Sequence, residues 1–131
     1  MISPKFYEKQ IQELGIEGMI IDIENVDEAS ILSDKLYTIE RVLEKIRHNI
    51  RMDIRTLRME YIERIKEINE SSKVLGLYNR QKSVQDKIKE KRKLIDERDL
   101  RIASYESIEY AIDEYLIQIN DAKSYISRFY Q

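Results

Sequence analysis

The sequence predicts an all-α protein built on a long antiparallel helical hairpin, and three observations carry this prediction. Charged residues make up 37% of the 131 residues, while glycine occurs three times and proline once, a composition typical of long helices. Apolar residues recur with a helical period along two long segments of the chain. These two apolar seams can also be matched across a fold-back near Gly76, so that polar positions meet opposite charges.

The N-terminal region predicts a short helix followed by an arm. Residues 4–14 suit a helix, because Pro4 fits a first turn and Gly15 a stop. Residues 16–27 are largely apolar, and one isolated strand would have no partner, so we expect an extended arm. At the end of the arm, the segment from Asn25 to Glu28 has the spacing of a capping box, which predicts the start of the next helix.

The first long helix is predicted over residues 28–71. No glycine or proline interrupts the chain between Glu28 and Glu70, and eleven apolar residues recur there with a mean spacing of 3.6. That spacing is the period of a straight α-helix, so these residues form a continuous seam on one side. The seam consists of Leu32, Leu36, Ile39, Leu43, Ile46, Ile50, Ile54, Leu57, Tyr61, Ile65 and Ile68.

A turn is predicted over residues 72–79, around Gly76, and a second long helix over residues 80–130. Its seam consists of Val84, Ile88, Ile95, Ile102, Tyr105, Ile108, Ile112, Tyr115, Ile119, Ala122, Ile126 and Phe129. In a hairpin centred beside Gly76, facing positions have residue numbers that sum to about 151. The polar seam positions then meet opposite charges, Lys91 with Glu60 and Arg98 with Asp53, which favours an antiparallel, coiled-coil-like pairing over a continuous rod.

The second long helix is also apolar away from its seam, at Tyr110, Leu116, Ile117 and Tyr125. A helix with apolar residues on more than one side contacts more than one neighbour. We therefore expect the arm to pack at the open end of the hairpin, two copies to form a dimeric four-helix bundle, or both.

Several classes of function are disfavoured by composition. The absence of cysteine excludes disulfides and thiol catalysis, and no phosphate-binding glycine motif is present. The single histidine, His48, reads as a solvated side chain rather than a metal ligand, so we expect no metal, no cofactor and no enzymatic activity. No apolar run reaches the roughly 18–20 residues of a membrane span, and we expect a cytoplasmic protein with no membrane partner.

The small net charge of −2 conceals a segregated distribution. Residues 1–34 carry a net charge of −6, residues 35–95 of +8, and residues 96–131 of −4. This acidic–basic–acidic order bears on the choice of partners more than on the fold.

The sequence favours a non-catalytic protein–protein interaction, scaffold or adaptor role, with another protein or a second copy as the partner. Arginine and methionine are enriched in interface cores, and both recur on the first long helix beside and behind its seam. The apolar residues at the turn add a second contact point. The predicted partner-binding residues are Arg47, Arg51, Met52, Arg55, Arg58, Met59, Val74, Leu75, Leu77 and Tyr78.

Nucleic-acid binding is the alternative. The basic residues near the turn suit contacts with a phosphate backbone, and neither zinc ligands nor a helix-turn-helix spacing accompanies them. The residues assigned to this alternative are Arg51, Arg55, Arg58, Arg80, Lys82, Lys87, Lys89 and Lys93.

Overall fold

The structure, a computed structural model, describes residues 1–19, 21–75 and 84–130, and the side chains of residues 71–75 are outside this description. All regular secondary structure in these ranges is helical, which confirms the all-α prediction. The elements are α1 (Pro4–Glu13), α2 (Val26–Leu75), α3 (Val84–Ser127) and a 3-10 helix (Arg128–Tyr130).

The chain divides into two compact units. Unit 1 comprises Met52–Tyr105 together with Met1, and unit 2 comprises Ile2–Arg51 and Glu106–Gln131. Helices α2 and α3 each contribute to both units. Each unit has its own set of contacts between the two long helices.

Neighbouring residues set both ends of helix α1. The Ser3 hydroxyl accepts a hydrogen bond from the Phe6 backbone N–H (3.3 Å), and Pro4 occupies the first turn, where its missing N–H has no consequence. At the other end Gly15 adopts a left-handed φ of 66°, which side-chain-bearing residues rarely take. The helix buries Tyr7 and Ile11 in unit 2.

The start of α2 is fixed by Asn25 and Glu28. The Asn25 side-chain oxygen accepts a hydrogen bond from the Glu28 backbone N–H, and the Glu28 carboxylate accepts one from the Glu24 backbone N–H, both 2.9 Å long. These two bonds form the capping box that the sequence predicts. The difference is that the Glu28 carboxylate bonds to the N–H of Glu24, the residue before the cap, and not to that of Asn25. It satisfies two backbone donors at the helix entrance.

In unit 2, α2 and α3 pack antiparallel around an extensive core. Arg47 donates a hydrogen bond to Asp113 (3.1 Å) and Arg51 to Glu109 (2.8 Å), while Lys123 pairs with Glu40. The α3 partner number falls as the α2 number rises, which is the mark of antiparallel packing. The buried residues are Tyr7, Ile11, Ile23, Ala29, Leu36, Ile39, Leu43, Ile46, Ile50, Ile108, Ile112, Ile119, Ala122 and Ile126.

The arm is joined to α3 within unit 2. The Tyr115 hydroxyl donates a hydrogen bond to the Glu17 carboxylate (2.6 Å), and Ile23 is buried. This bond to Glu17, together with burial, raises the pKa of Tyr115 above its ordinary value. A small cavity of about 290 Å³ lies between the end of α1, the arm and Tyr115.

In unit 1, the two long helices also pack antiparallel, but the core is much smaller. Arg101 of α3 reaches Tyr61 of α2, and Arg64 of α2 lies 4.0 Å from Glu97 of α3. The prediction of two long helices packed against each other is thus confirmed within each unit. The buried residues of unit 1 are Ile54, Leu57, Tyr61, Ile102 and Tyr105.

The register of this pairing differs from the prediction. The residue numbers sum to 160 for Arg47 with Asp113 and to 162 for Tyr61 with Arg101, so the predicted sum of 151 is wrong by about ten residues. Three turns of an α-helix contain about 11 residues. A displacement of nearly three whole turns leaves both apolar seams in phase, so seam spacing alone does not distinguish the two registers.

The predicted turn is only partly within the described residues. Helix α2 continues to Leu75, four residues beyond its predicted end at residue 71, and α3 is described from Val84. The remainder of the predicted turn, residues 76–79, and the predicted first turn of α3, residues 80–83, lie outside the described residues.

Candidate functional site

One side of unit 1 is organised around the buried Tyr61. The Arg101 guanidinium donates a hydrogen bond to the Tyr61 hydroxyl (3.2 Å), and the Arg64 guanidinium lies 4.9 Å from the centre of the Tyr61 ring. The bond to Tyr61 raises the pKa of Arg101. Two cations thus hold one aromatic side chain in place, which stabilises the helix pairing by cation–π attraction and hydrogen bonding.

The same side carries a cleft of about 540 Å³ between α2 and α3. Its lining alternates cations, carboxylates and two aliphatic side chains, namely Arg64, Glu67, Ile68, Glu90, Lys93, Leu94 and Glu97. Asp53 and Glu60 lie nearby: both raise the pKa of Tyr105, after the larger effect of its burial. This side of unit 1 is therefore mixed in charge, with carboxylates in excess.

The opposite side of unit 1 is apolar and basic. On α2, Arg58, Ile62 and Ile65 recur at spacings of four and three residues, so they share one side of the helix. Arg58 and Ile62 flank the seam on the side away from Arg64 and Glu67, which line the cleft, and Ile65 is a half-buried residue of the seam itself.

Helix α3 extends this surface with Ile88, Lys91 and Ile95. In the register of unit 1, facing residue numbers sum to about 161, so Ile95 lies at the level of Ile65 along the helices. We call the surface formed by these residues the apolar–basic face; its members are Arg55, Arg58, Ile62, Ile65, Ile88, Lys91 and Ile95.

The apolar–basic face leaves aliphatic side chains in water. Ile62 is 55% exposed, Ile88 51% and Ile95 37%, and Val84 at the start of α3 is more exposed still. The sequence predicts the three α3 residues in the hairpin core, and the structure corrects this. The physical reason is the register: the α3 residues that line the cleft shared with α2 here are Glu90, Leu94 and Glu97, on the neighbouring side of α3.

Two predicted partner-binding residues form ion pairs within the chain. The guanidinium groups of Arg47 and Arg51 are ion-paired with Asp113 and Glu109 in unit 2. Each pair joins α2 to α3, so these arginines are engaged within the chain. Arg51 is also a residue of the nucleic-acid alternative.

The other described members of the predicted site lie in unit 1. Arg55 and Arg58 are exposed members of the apolar–basic face, and Met52 and Met59 are exposed on the outer side of α2, next to Ile62.

The predicted residues nearest the turn are only partly described. Val74 and Leu75 belong to the last turn of α2, with side chains outside the description, and Leu77, Tyr78, Arg80 and Lys82 lie outside the described residues. Of the remaining lysines, Lys87 is half-buried, Lys89 is exposed, and Lys93 lines the cleft among carboxylates.

A second exposed surface lies on α3 in unit 2. Tyr110 is 68% exposed and Ile117 57% exposed, and both lie opposite the buried Ile112 and Ile119. Exposed carboxylates flank them at helical spacing. We call this surface the acidic stripe; its members are Glu106, Tyr110, Glu114, Ile117 and Asp121.

Sequence reasoning identified part of these surfaces. Tyr110 and Ile117 are apolar residues off the seam, and their spacing of seven residues places them on one side of α3. The sequence does not predict the exposure of Ile88 and Ile95. That exposure depends on the helix register, which the spacing of the apolar residues does not determine.

Comparison with known proteins adds no relative. The chain matches no family model, no curated protein and no solved structure. Among the described residues, no helix has the length and apolarity needed to cross a bilayer, and no group of three or more metal-ligating side chains converges. Function is therefore inferred from the apolar–basic face and the acidic stripe.

Proposed function

We propose that the protein is a non-catalytic helical interaction protein, a scaffold or adaptor, that binds protein through the apolar–basic face of unit 1. The observation that carries this proposal is the exposure of Ile62, Ile88 and Ile95 on one side of two adjacent helices. Neighbouring exposed apolar side chains with a polar rim mark interaction sites, because a partner removes them from water.

The charged rim supports the same role. Arg55 and Arg58 are exposed beside Ile62, and arginine is enriched at protein interfaces because its planar guanidinium suits both stacking and paired hydrogen bonds. The proposed contact surface thus retains two of the predicted partner-binding arginines and moves its apolar centre from Met52 and Met59 to the isoleucines.

A helical partner suits this surface. Two parallel or antiparallel helices present a groove into which a third helix, or a pair of helices from a second copy, can pack. The second case is the homodimeric, coiled-coil-like four-helix bundle that the sequence predicts. It would remove the same isoleucines from water as a foreign helix would.

Site-specific photo-crosslinking tests the proposal. A photo-reactive residue is placed at position 62, on the face, or at position 100, as the matched control. Leu100 is a largely exposed α3 residue on the outer side of the same unit. In cells that produce the full chain, we expect a discrete protein adduct from position 62 that Arg58→Glu abolishes, and none from position 100.

The result that would refute this function is equally direct. If position 62 gives no protein adduct, or the same adducts as position 100, the apolar–basic face does not bind protein.

Nucleic-acid binding is a second candidate, favoured by the exposure of Arg55, Arg58 and Lys89 in unit 1. Phosphate contacts would make binding weaken steeply with salt concentration. A salt-titrated assay with duplex and single-stranded probes tests it, with the charge reversals Arg55→Glu and Lys89→Glu. If the protein does not bind the probes at low salt, or if the two charge reversals leave its affinity unchanged, it does not bind nucleic acid through these residues.

A further inference from the structure

The apolar–basic face and the acidic stripe are complementary in charge. The apolar–basic face of unit 1 combines isoleucines with Arg55, Arg58 and Lys91, whereas the acidic stripe of unit 2 combines Tyr110 and Ile117 with carboxylates. The sequence contains no lysine or arginine from residue 102 to residue 122. Each surface therefore offers an apolar centre with a rim of one sign.

We propose that the occupant of the apolar–basic face is the acidic stripe of a second copy of this chain. This inference rests on the proposed function and names its partner. The aliphatic side chains of one surface meet Tyr110 and Ile117 of the other, and the arginine and lysine rim meets Glu106, Glu114 and Asp121. Both the apolar and the charged parts of each surface are then satisfied.

The contact joins two chains. Both surfaces include residues of α3, which is one continuous helix from Val84 to Ser127, and two segments of one helix cannot fold onto each other. A two-fold pair forms the contact twice, since each copy supplies one face and one stripe. Closed two-fold pairs are the commonest oligomers.

A pairing of two apolar–basic faces is disfavoured. It would bring Arg55, Arg58 and Lys91 of both copies together, and like charges across an interface oppose association. The pairing of face with stripe replaces that repulsion with attraction. Beside the face, Asp99 lies 3.0 Å from the guanidinium of its neighbour Arg98, and because this pair is neutral it does not offset the basic rim.

Two charge-reversed variants test the pairing. The face variant carries Arg55→Glu and Arg58→Glu, and the stripe variant carries Glu106→Lys and Glu114→Lys. All four positions are exposed, so the fold has no buried partner to lose. The measured quantity is the dimer dissociation constant of the purified full chain, by sedimentation equilibrium at low salt.

We expect each variant alone to associate at least about tenfold more weakly than the parent chain, because both of its surfaces then carry the same sign. An equimolar mixture restores association to within about threefold, because each face again meets a stripe of opposite sign. Unfolded variants would not restore it. Lys89→Glu and Leu100→Ser, on the outer side of α3, leave the dissociation constant unchanged.

Three results would overturn the inference. They are a parent chain that stays monomeric up to about 1 mM, a stripe variant that dimerises like the parent, and a mixture that remains monomeric. If the parent is monomeric while position 62 crosslinks to a different protein, the inference fails and the proposed function stands. If position 62 yields no adduct, both fail.

Discussion

The ion pair between Arg47 and Asp113 provides a quantitative test of the helix register. We consider the truncations Arg47→Ala and Asp113→Ala and the variant that carries both. A guanidinium nitrogen lies 3.1 Å from a carboxylate oxygen, and the two side chains are 28% and 48% exposed. Truncating Arg47 also removes its aliphatic stem, so the single variant overstates the free energy of the ion pair. Only the double-mutant cycle, which compares both single variants with the double variant, isolates the free energy of the pair.

The expected coupling follows from distance and exposure. Opposite charges about 4 Å apart attract by about 1 kcal/mol in water and by about 4 kcal/mol near a protein surface, before desolvation and side-chain entropy oppose them. Measured exposed pairs retain about 0.2–1 kcal/mol. For this half-buried pair we expect a coupling free energy of about 0.5–1 kcal/mol, which salt reduces.

The assay is equilibrium urea unfolding of the four proteins at low salt, followed by helical circular dichroism. The matched control is the same cycle for Asp53 and Arg98, the pair that faces in the register predicted from the sequence. We expect coupling for Arg47 with Asp113 and none above error for the control. Coupling in the control alone would refute the observed register.

Two further predictions concern packing and pH. Leu43→Ala should destabilise the protein by about 2–5 kcal/mol because Leu43 is completely buried, whereas Val42→Ala, at an exposed neighbour, should cost less than about 1 kcal/mol; equal losses in urea unfolding would contradict the assigned core. The pKa of Tyr115 is raised by its bond to Glu17, so its contribution to stability is complete below the unfolded pKa of about 10 and is lost as pH rises through the folded value. As pH rises from 9 toward the lysine pKa of about 10.4, the free energy of unfolding should therefore fall less in Tyr115→Phe than in the parent. If it falls equally in both proteins, the hydrogen bond to Glu17 does not contribute as described.

Several local features could be predicted from the sequence because they depend on neighbouring residues. The first turn of α1 at Pro4 and the left-handed Gly15 follow from intrinsic backbone preferences. The cap at Asn25 and Glu28 likewise needs only the correct spacing of three residues. Tertiary packing was not required for any of them.

The candidate site was less predictable. One side of α2 carries Arg47, Arg51, Arg55 and Arg58, and their spacing does not tell which of them have carboxylates opposite them. The carboxylates of Asp113 and Glu109 engage the first two in unit 2. Arg55 and Arg58 remain exposed beside Ile62 in unit 1.

By itself the sequence determined that the chain forms long helices, where α1 begins, and which sides of α2 are apolar. These properties are set by residues one to four positions apart, within reach of local backbone and side-chain contacts. Only the tertiary structure decided the register of α2 against α3, and with it the exposure of Ile88 and Ile95. The reason is periodicity: sliding one helix by three turns restores nearly the same seam, so only particular contacts such as Arg51 with Glu109 select the position.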